Sequence, residues 1–189
     1  MKLEKDFYTR NNVVLIAKEL LGKEIFCKKN NKLYSGIICE TEAYAGITDK
    51  ASHAYNNRRT KRTETMFMEG GVAYVYLCYG IHHLFNIVTN KVDCPDAVLI
   101  RGIIPFKGFE TIPDKHKKGI GPGRVSSLLG ITTKDDKLDL GGNTIWIEHT
   151  DIIVTEDLIK TSKRIGIDYA EEDALLPYRF QFNYDVDLQ

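Results

Sequence analysis

The sequence predicts an α+β domain with a largely antiparallel β-sheet, and three observations carry that reading. Runs of β-branched and aromatic residues outnumber runs with helical periodicity. These extended runs do not alternate regularly with helices, as a doubly wound sheet would require. No repeat or linker-like stretch divides the 189 residues, which suffice for one domain and one core over residues 1–189.

Residues 11–21 read as a helix: Val13, Val14, Ala17, Leu20 and Leu21 recur at helical spacing, an Asn can cap the start and Gly22 can end it. Residues 24–28 and 32–44 read as strands joined by a turn at Lys29-Asn30-Asn31. Side chains alternate along a strand, so Ile38, Glu40, Glu42 and Tyr44 should share one face, and Ile37, Cys39, Thr41 and Ala43 the other. Residues 65–68 suggest a short helical turn before Gly70-Gly71. Residues 72–78 and 83–88 form a predicted hairpin with Tyr79 near its tip. Residues 97–104 read as a strand stopped by Pro105. In Gly119-Ile-Gly-Pro-Gly-Arg124, Pro122 suits the first turn of a helix running through residues 125–129. Residues 144–148, 152–155, 163–167 and 178–182 complete the expected strands.

The composition, 43% hydrophobic and 28% charged, is that of an ordinary globular protein. No apolar run approaches the roughly 20 residues a membrane-spanning helix needs. The N-terminal residues carry both signs of charge and lack an apolar signal core, which points to the cytosol, or to the nucleus in a nucleated cell. Cys27, Cys39, Cys78 and Cys94 are far apart and form no C-x-x-C pair, which argues against a thiolate zinc site; three of them suit buried free thiols. The net charge is zero, yet basic residues cluster at Arg58, Arg59, Lys61 and Arg62, and again at Lys115, Lys117, Lys118 and Arg124, while the tail from Asp168 is acidic. Such runs form either a positive face for a polyanion or merely solvated loops.

Chemistry concentrates between Glu40 and Asn86. Glu40 and Glu42 can converge on one site, as carboxylates that activate water do, or face solvent from an edge strand. A lone His53 is either a structural hydrogen-bonding group or part of a site. His82 and His83 are adjacent on a strand and point to opposite faces, so a shared metal is not expected. Tyr74 and Tyr76 either stack a flat base or fill a core. Tyr79 beside Gly80 in a turn should be exposed, a ring placed to wedge between base pairs. The glycines before the 125–129 helix could receive a phosphate, although Gly-Pro-Gly opens many ordinary helices.

Together these residues resemble the alkyladenine (3-methyladenine) DNA glycosylase family of base-excision repair. The resemblance rests on Glu40-Thr-Glu-Ala-Tyr44-x-Gly46, His53, Met66-Phe67-Met68, Tyr74-Val-Tyr76-x-x-Tyr79-Gly80, Asn86, Leu99-Ile100-Arg101, Gly121-Pro122-Gly123, Arg164-Ile-Gly-Ile167 and Pro177-Tyr-Arg-Phe180. It implies one compact domain around a curved antiparallel sheet with flanking helices and a protruding hairpin, like the C-terminal domain of formyltransferases. It implies a monofunctional, monomeric glycosylase without metal or organic cofactor, membrane contact or obligate protein partner; in a bacterium it would accompany the nucleoid. The substrate would be double-stranded DNA holding damaged purines: 3-methyladenine, 7-methylguanine, and deaminated or etheno bases such as hypoxanthine and ethenoadenine. By the same resemblance Glu42 matches the general base, and Arg101 the residue holding its water or the nucleotide's phosphate. Tyr44, His53 and Tyr76 match the base pocket, Asn86 its guanine-excluding floor, and Tyr79 the intercalating ring. Leu99 would pack near the pocket mouth. By charge and place, Arg58, Arg59, Lys61, Arg62 and Arg124 are the candidate phosphate contacts; Glu40, the weaker candidate of the glutamate pair, would support the strand or the groups around the site. A nearby Arg101 should favour ionised Glu42. The motif holds no lysine for a Schiff base, which argues against coupled strand cleavage. Two competing readings are a non-catalytic nucleic-acid-binding domain on this scaffold and a hydrolase of free nucleosides, for which Tyr79 would be superfluous.

Overall fold

The computed structural model describes residues 1–110 and 119–182. Lys115, Lys117, Lys118 and the end of the acidic tail lie outside the described residues. Three α-helices and nine strands are found among the described residues, in an α+β arrangement. The helices are α1 (Lys5–Tyr8), α2 (Val13–Glu19) and α3 (Pro122–Leu129). The strands are β1 (Glu24–Lys29), β2 (Lys32–Tyr44), β3 (Ala73–Cys78), β4 (His82–Thr89), β5 (Asp96–Lys107), β6 (Gly119–Ile120), β7 (Ile145–Glu148), β8 (Lys160–Ser162) and β9 (Arg179–Gln181). They form one antiparallel sheet in the order β3-β4-β5-β2-β1-β7; β6 pairs with β5, and β9 joins β8 to the C-terminal part of β2.

Local chemistry explains the main elements. Asn12 caps α2 by accepting the Leu15 N–H at 2.9 Å, and Thr41 Oγ1 donates to the Ala17 carbonyl at 2.8 Å, holding α2 on β2. Asn30 and Asn31 take positive φ in the β1–β2 turn, the left-handed geometry that two-residue hairpins favour. Pro122 opens α3, where its missing N–H costs nothing, and Gly130 closes it in the left-handed conformation. Residues 64–67 form the expected helical turn, as a 3₁₀ segment.

Some expectations fail for physical reasons. β5 runs through Pro105 to Lys107, because Pro105 faces Gly36 beside a register shift, where a ladder N–H is not required. Ile38 belongs to the main core with Ile37 and Cys39, since register shifts on either side of Glu40 break simple alternation. Residues 152–155 and 163–167 are not strands. In the former, Thr150 Oγ1 accepts the Ile152 N–H at 3.2 Å; in the latter, Gly166 has φ +75° and the Ile165 N–H donates to the Glu42 carboxylate. Cys27 and Cys39 are buried, whereas Cys78 is half-buried and Cys94 exposed.

The sheet uses its two faces differently. Ala73, Val75, Phe85, Ile87, Val98 and Ile100 belong to the main core, which also takes Val13, Ile16, Ala17 and Leu20 from the α2 segment and Val125, Leu128 and Leu129 from α3. By period-two alternation, Tyr74, Tyr76, Asn86, Leu99, Glu42 and Tyr44 belong to the other face.

Tyr79 lies at the β3–β4 tip with φ +51° and 91% exposure, so it gains no burial for a strained backbone. Asn tolerates this region better than Tyr does. Tyr79→Asn should therefore leave the thermal midpoint unchanged or raise it, and a clear fall in calorimetry would show that the ring supports the fold.

Candidate active site

A single cross-strand row sets the site. Tyr74 of β3 faces Asn86 of β4, Asn86 faces Leu99 of β5, Leu99 faces Glu42 of β2, and Glu42 faces Arg179 of β9. With adjacent strands about 4.8 Å apart, residues remote in sequence become neighbours. Arg101 sits where the β2–β5 register shifts between Glu40↔Gly102 and Thr41↔Ile100, which swings it toward both glutamates. Its Nε lies 3.1 Å from Glu40 Oε1 and 3.4 Å from Glu42 Oε1. Arg179 Nε donates to the same Glu40 oxygen at 2.6 Å. Gly102 permits this approach, since a Cβ there would meet the Glu40 Cβ at 2.9 Å. Glu40 is thus the anchor of two arginines.

Glu42 is fully buried, at 0% exposure. Its Oε2 accepts the Tyr44 hydroxyl at 2.8 Å, and its Oε1 accepts the Ile165 N–H at 2.9 Å. Burial raises its pKa above the usual carboxylate value; Arg101 and the two hydrogen bonds oppose this without cancelling it. Arg101 favours the ionised form of Glu42 as expected, but desolvation outweighs it. Tyr44 is pushed up as well, by burial and by the facing carboxylate.

The Ile165 N–H is delivered by a buried ion pair that the sequence reading missed. Arg164 binds Asp49 through two bonds of 2.5 and 2.9 Å, and also donates to the carbonyls of Ala43 at 2.9 Å and Asp173 at 3.1 Å. Asp49 in turn accepts the N–H groups of Ala45 at 3.1 Å and Ala51 at 3.0 Å. Arg164 was visible only as the first letter of a motif block, and Asp49 carried no signal.

Above the row opens a cavity of about 550 Å³, the size of a small-molecule site. Tyr44, His53, Tyr74, Tyr76, Asn86, Leu99 and Arg101 line it, with buried Met66 and Ala97 among them. Its exposed rim includes Arg62, Leu77, Tyr79, Ile165 and Tyr169. Tyr74 and Tyr76 are tilted at 37° with centroids 5.4 Å apart, and the His53 ring meets Tyr76 edge-on at 4.7 Å. Tyr74 fills a second core cluster with Met66 and Phe67, the core alternative for the tyrosines, and also lines the cavity. Asn86 is fixed by donating Nδ2 to the carbonyls of Tyr74 at 3.1 Å and Leu84 at 3.4 Å. His53 Nδ1 lies 2.9 Å from the Tyr74 hydroxyl. Burial first, then Arg62 and Arg58, lower the His53 pKa to about 4, so the ring is neutral at pH 7. Burial pushes the Tyr74 hydroxyl up to about 12.

The basic residues divide. Arg62 stacks over Tyr76 at 5.0 Å and joins the cavity wall. Arg59 is held by Glu64 at 2.7 Å and Asp93 at 2.7 Å and covers Phe67, which makes it a structural tie. Arg58 and Lys61 are exposed, and Arg124 is half-buried in the first turn of α3. His83 Nδ1 accepts the Thr133 N–H at 3.2 Å while His82 lies against Gly123, so the two rings diverge as expected. Among the described residues no group of three or more His, Cys, Asp or Glu is placed to hold a metal, and no helix is long and apolar enough to cross a membrane.

Residues 6–185 match the family model described as methylpurine-DNA glycosylase. A protein of Chlamydia felis is 44% identical, with 96% of each chain covered. One of Clostridium novyi is 42% identical over 95% of this chain and 94% of its own, and one of Bdellovibrio bacteriovorus 40% identical with the same coverage. All three bear the name "Putative 3-methyladenine DNA glycosylase".

Two outcomes follow from the buried charges. Arg164→Met leaves Asp49 charged and unpaired, and should cost about 3–5 kcal/mol in urea unfolding; a cost below about 1 kcal/mol would mean the pair is not structural. His53 has a folded pKa of about 4, below its ordinary value of 6.5, so its neutral form contributes stability above pH 6.5 that is lost as pH falls through about 4. The stability difference between wild type and His53→Gln should shrink across that window, and a flat difference would contradict a buried neutral ring.

Proposed function

The chain belongs to the methylpurine-DNA glycosylase family, and from that premise we propose that it flips alkylated or deaminated purines out of duplex DNA and hydrolyses their N-glycosidic bond with water activated by Glu42, leaving an abasic site. DNA glycosylase activity, hydrolysis of the bond between base and sugar, comes with the family. The observation that carries the finer reading is Glu42: a buried carboxylate gripped by Tyr44 and Ile165 beside a cavity walled by aromatic rings.

In this reading the damaged base enters between Tyr44, His53 and Tyr76. A positively charged alkylpurine gains a cation–π contact there, and flipping costs least for weakly paired bases. Asn86, its amide already committed to two carbonyls, crowds the exocyclic amino group of guanine at the pocket floor. Tyr79 fills the gap left in the duplex. The water oxygen attacks the anomeric carbon, its proton passes to Glu42, and the electron pair of the breaking C–N bond leaves with the base. A cationic base departs neutral and needs no acid. Neutral His53 carries no spare proton, so cationic lesions should react faster than hypoxanthine. Arg101, tied to both glutamates, orients the carboxylate and stands at the cavity wall. Arg58, Lys61, Arg62 and Arg124 are our candidates for phosphate contacts, on a protein acting as a monomer; Arg59 is the weakest of the five, being already paired.

The test is base release from methylated duplex DNA without added metal, comparing wild type with Glu42→Gln. We expect released methylpurines, strands intact until alkali is added, and a loss of at least about 10²-fold in the variant, the range of general base catalysis. Binding without release by both proteins would favour a non-catalytic binding domain. Full activity on free nucleosides, unchanged in Tyr79→Ala, would favour a nucleoside hydrolase. Because burial raises the Glu42 pKa and the base must be ionised, the acid limb of the pH–rate profile should lie above the ordinary carboxylate value of 4.5. An acid limb at or below 4.5 would contradict Glu42 as the base.

A further inference from the structure

We propose that Tyr169 is a specificity-determining residue: a tethered ring that sets the width of the cavity mouth and so the size of base admitted. This rests on the glycosylase reading above and names a selectivity that reading does not supply.

Tyr169 lines the cavity from the 3₁₀ segment Asp168–Leu175, beside Ile165 and Gly166, while Leu77, Cys78 and Tyr79 of the hairpin line it too. The ring is 65% exposed although the segment beneath it is pinned: Ile167 and Ala170 are buried against Ala51, and Ala170 N–H donates to the Ile167 carbonyl at 2.8 Å. The tether is the hydroxyl, which donates to the Ala51 carbonyl at 3.1 Å. Ala51 also lines the cavity and lies two residues before His53, so one bond joins the outer segment to the loop that carries the pocket histidine. Arg62 and Cys78 line the same cavity as Tyr169. A ring fixed at both ends limits the opening more firmly than a free side chain would.

The surrounding charge says which part of a nucleotide this ring meets. Asp168, Glu171 and Glu172 flank it, the latter two paired with Lys50. An acidic lip repels phosphate, so the contact falls on base or sugar. A purine bearing one added methyl group then passes, while a base extended by a fused ring meets Tyr169.

The experiment measures kcat/KM on duplexes holding one 7-methylguanine or one 1,N6-ethenoadenine, for wild type, Tyr169→Phe and Tyr169→Ala. Phe keeps the ring and removes the tether; Ala removes both. We expect the ethenoadenine to 7-methylguanine ratio to rise about tenfold or more in the Ala variant, within the range by which pockets select on size. The Phe variant should show a smaller rise in the same direction. Ratios unchanged within about twofold in both variants of an active wild type, or an equal loss on both lesions, would overturn the proposal. A wild type that releases neither base would instead remove the glycosylase reading itself, and this inference with it.

Discussion

The site depends first on the buried Arg164–Asp49 pair. Taking two charges out of water is expensive, and their attraction offsets that cost only when the remaining donors and acceptors are satisfied. Here most are: Asp49 collects two backbone N–H groups and Arg164 reaches two carbonyls, while its guanidinium lies over the rings of Tyr44 and Tyr178 at 4.8 and 5.4 Å. Among the described residues, its Nε has no hydrogen-bond partner. The pair clamps the end of β2, the 45–51 loop, the 163–167 segment and the 168–175 turn. An apolar pair could fill the volume, but could not fix the direction in which Ile165 presents its N–H to Glu42.

From that clamp the two glutamates acquire different work, although both lie on β2 and share Arg101. Glu40 holds Arg101 and Arg179, and neither glutamate is itself among the residues that line the cavity. Glu42 receives a tyrosine hydroxyl and a backbone N–H, and its burial leaves a basic carboxylate. A carboxylate with an ordinary pKa would be a weak base at neutral pH. Desolvation raises the Glu42 pKa and Arg101 lowers it, the balance that the proposed mechanism would ask of a general base.

Much of this was legible in sequence, for reasons that differ by residue. The strands that build the row, β2 through β5, announced themselves through β-branched and aromatic runs, and the hairpin tip through Tyr79-Gly80. The pocket candidates were legible only through the family resemblance, since spacing alone left His53 and the tyrosines open to structural roles. Asp49 was not, because its partner is 115 residues away and nothing local distinguishes it from any loop aspartate. The 163–167 segment looked like a strand because its apolar residues alternate, yet its backbone groups serve a side chain, which local propensity does not encode. Pro105 misled because a bulge, a feature of pairing, decides whether a strand tolerates it.

A zero net charge and a polyanionic substrate are compatible once the charges are followed to their partners. Arg10, Lys18, Lys29, Lys50 and Arg59 each meet a carboxylate on the protein, so much of the basic total is neutralised internally. Among the described residues, Arg58 and Lys61 make no such pair, and Arg62 spends its charge on the face of Tyr76. These three sit within the run that follows His53, and Arg58 and Arg62 are close enough to depress its pKa. Positive potential is therefore local to the cavity rim on one side, and the acidic 168–173 turn bounds it on the other. Under the proposed function, a surface with so few unpaired cations would neutralise few phosphates and release few counterions, and would orient a duplex more than bind it. Under that function, discrimination would then fall less on the backbone than on the aromatic cavity beside Glu42.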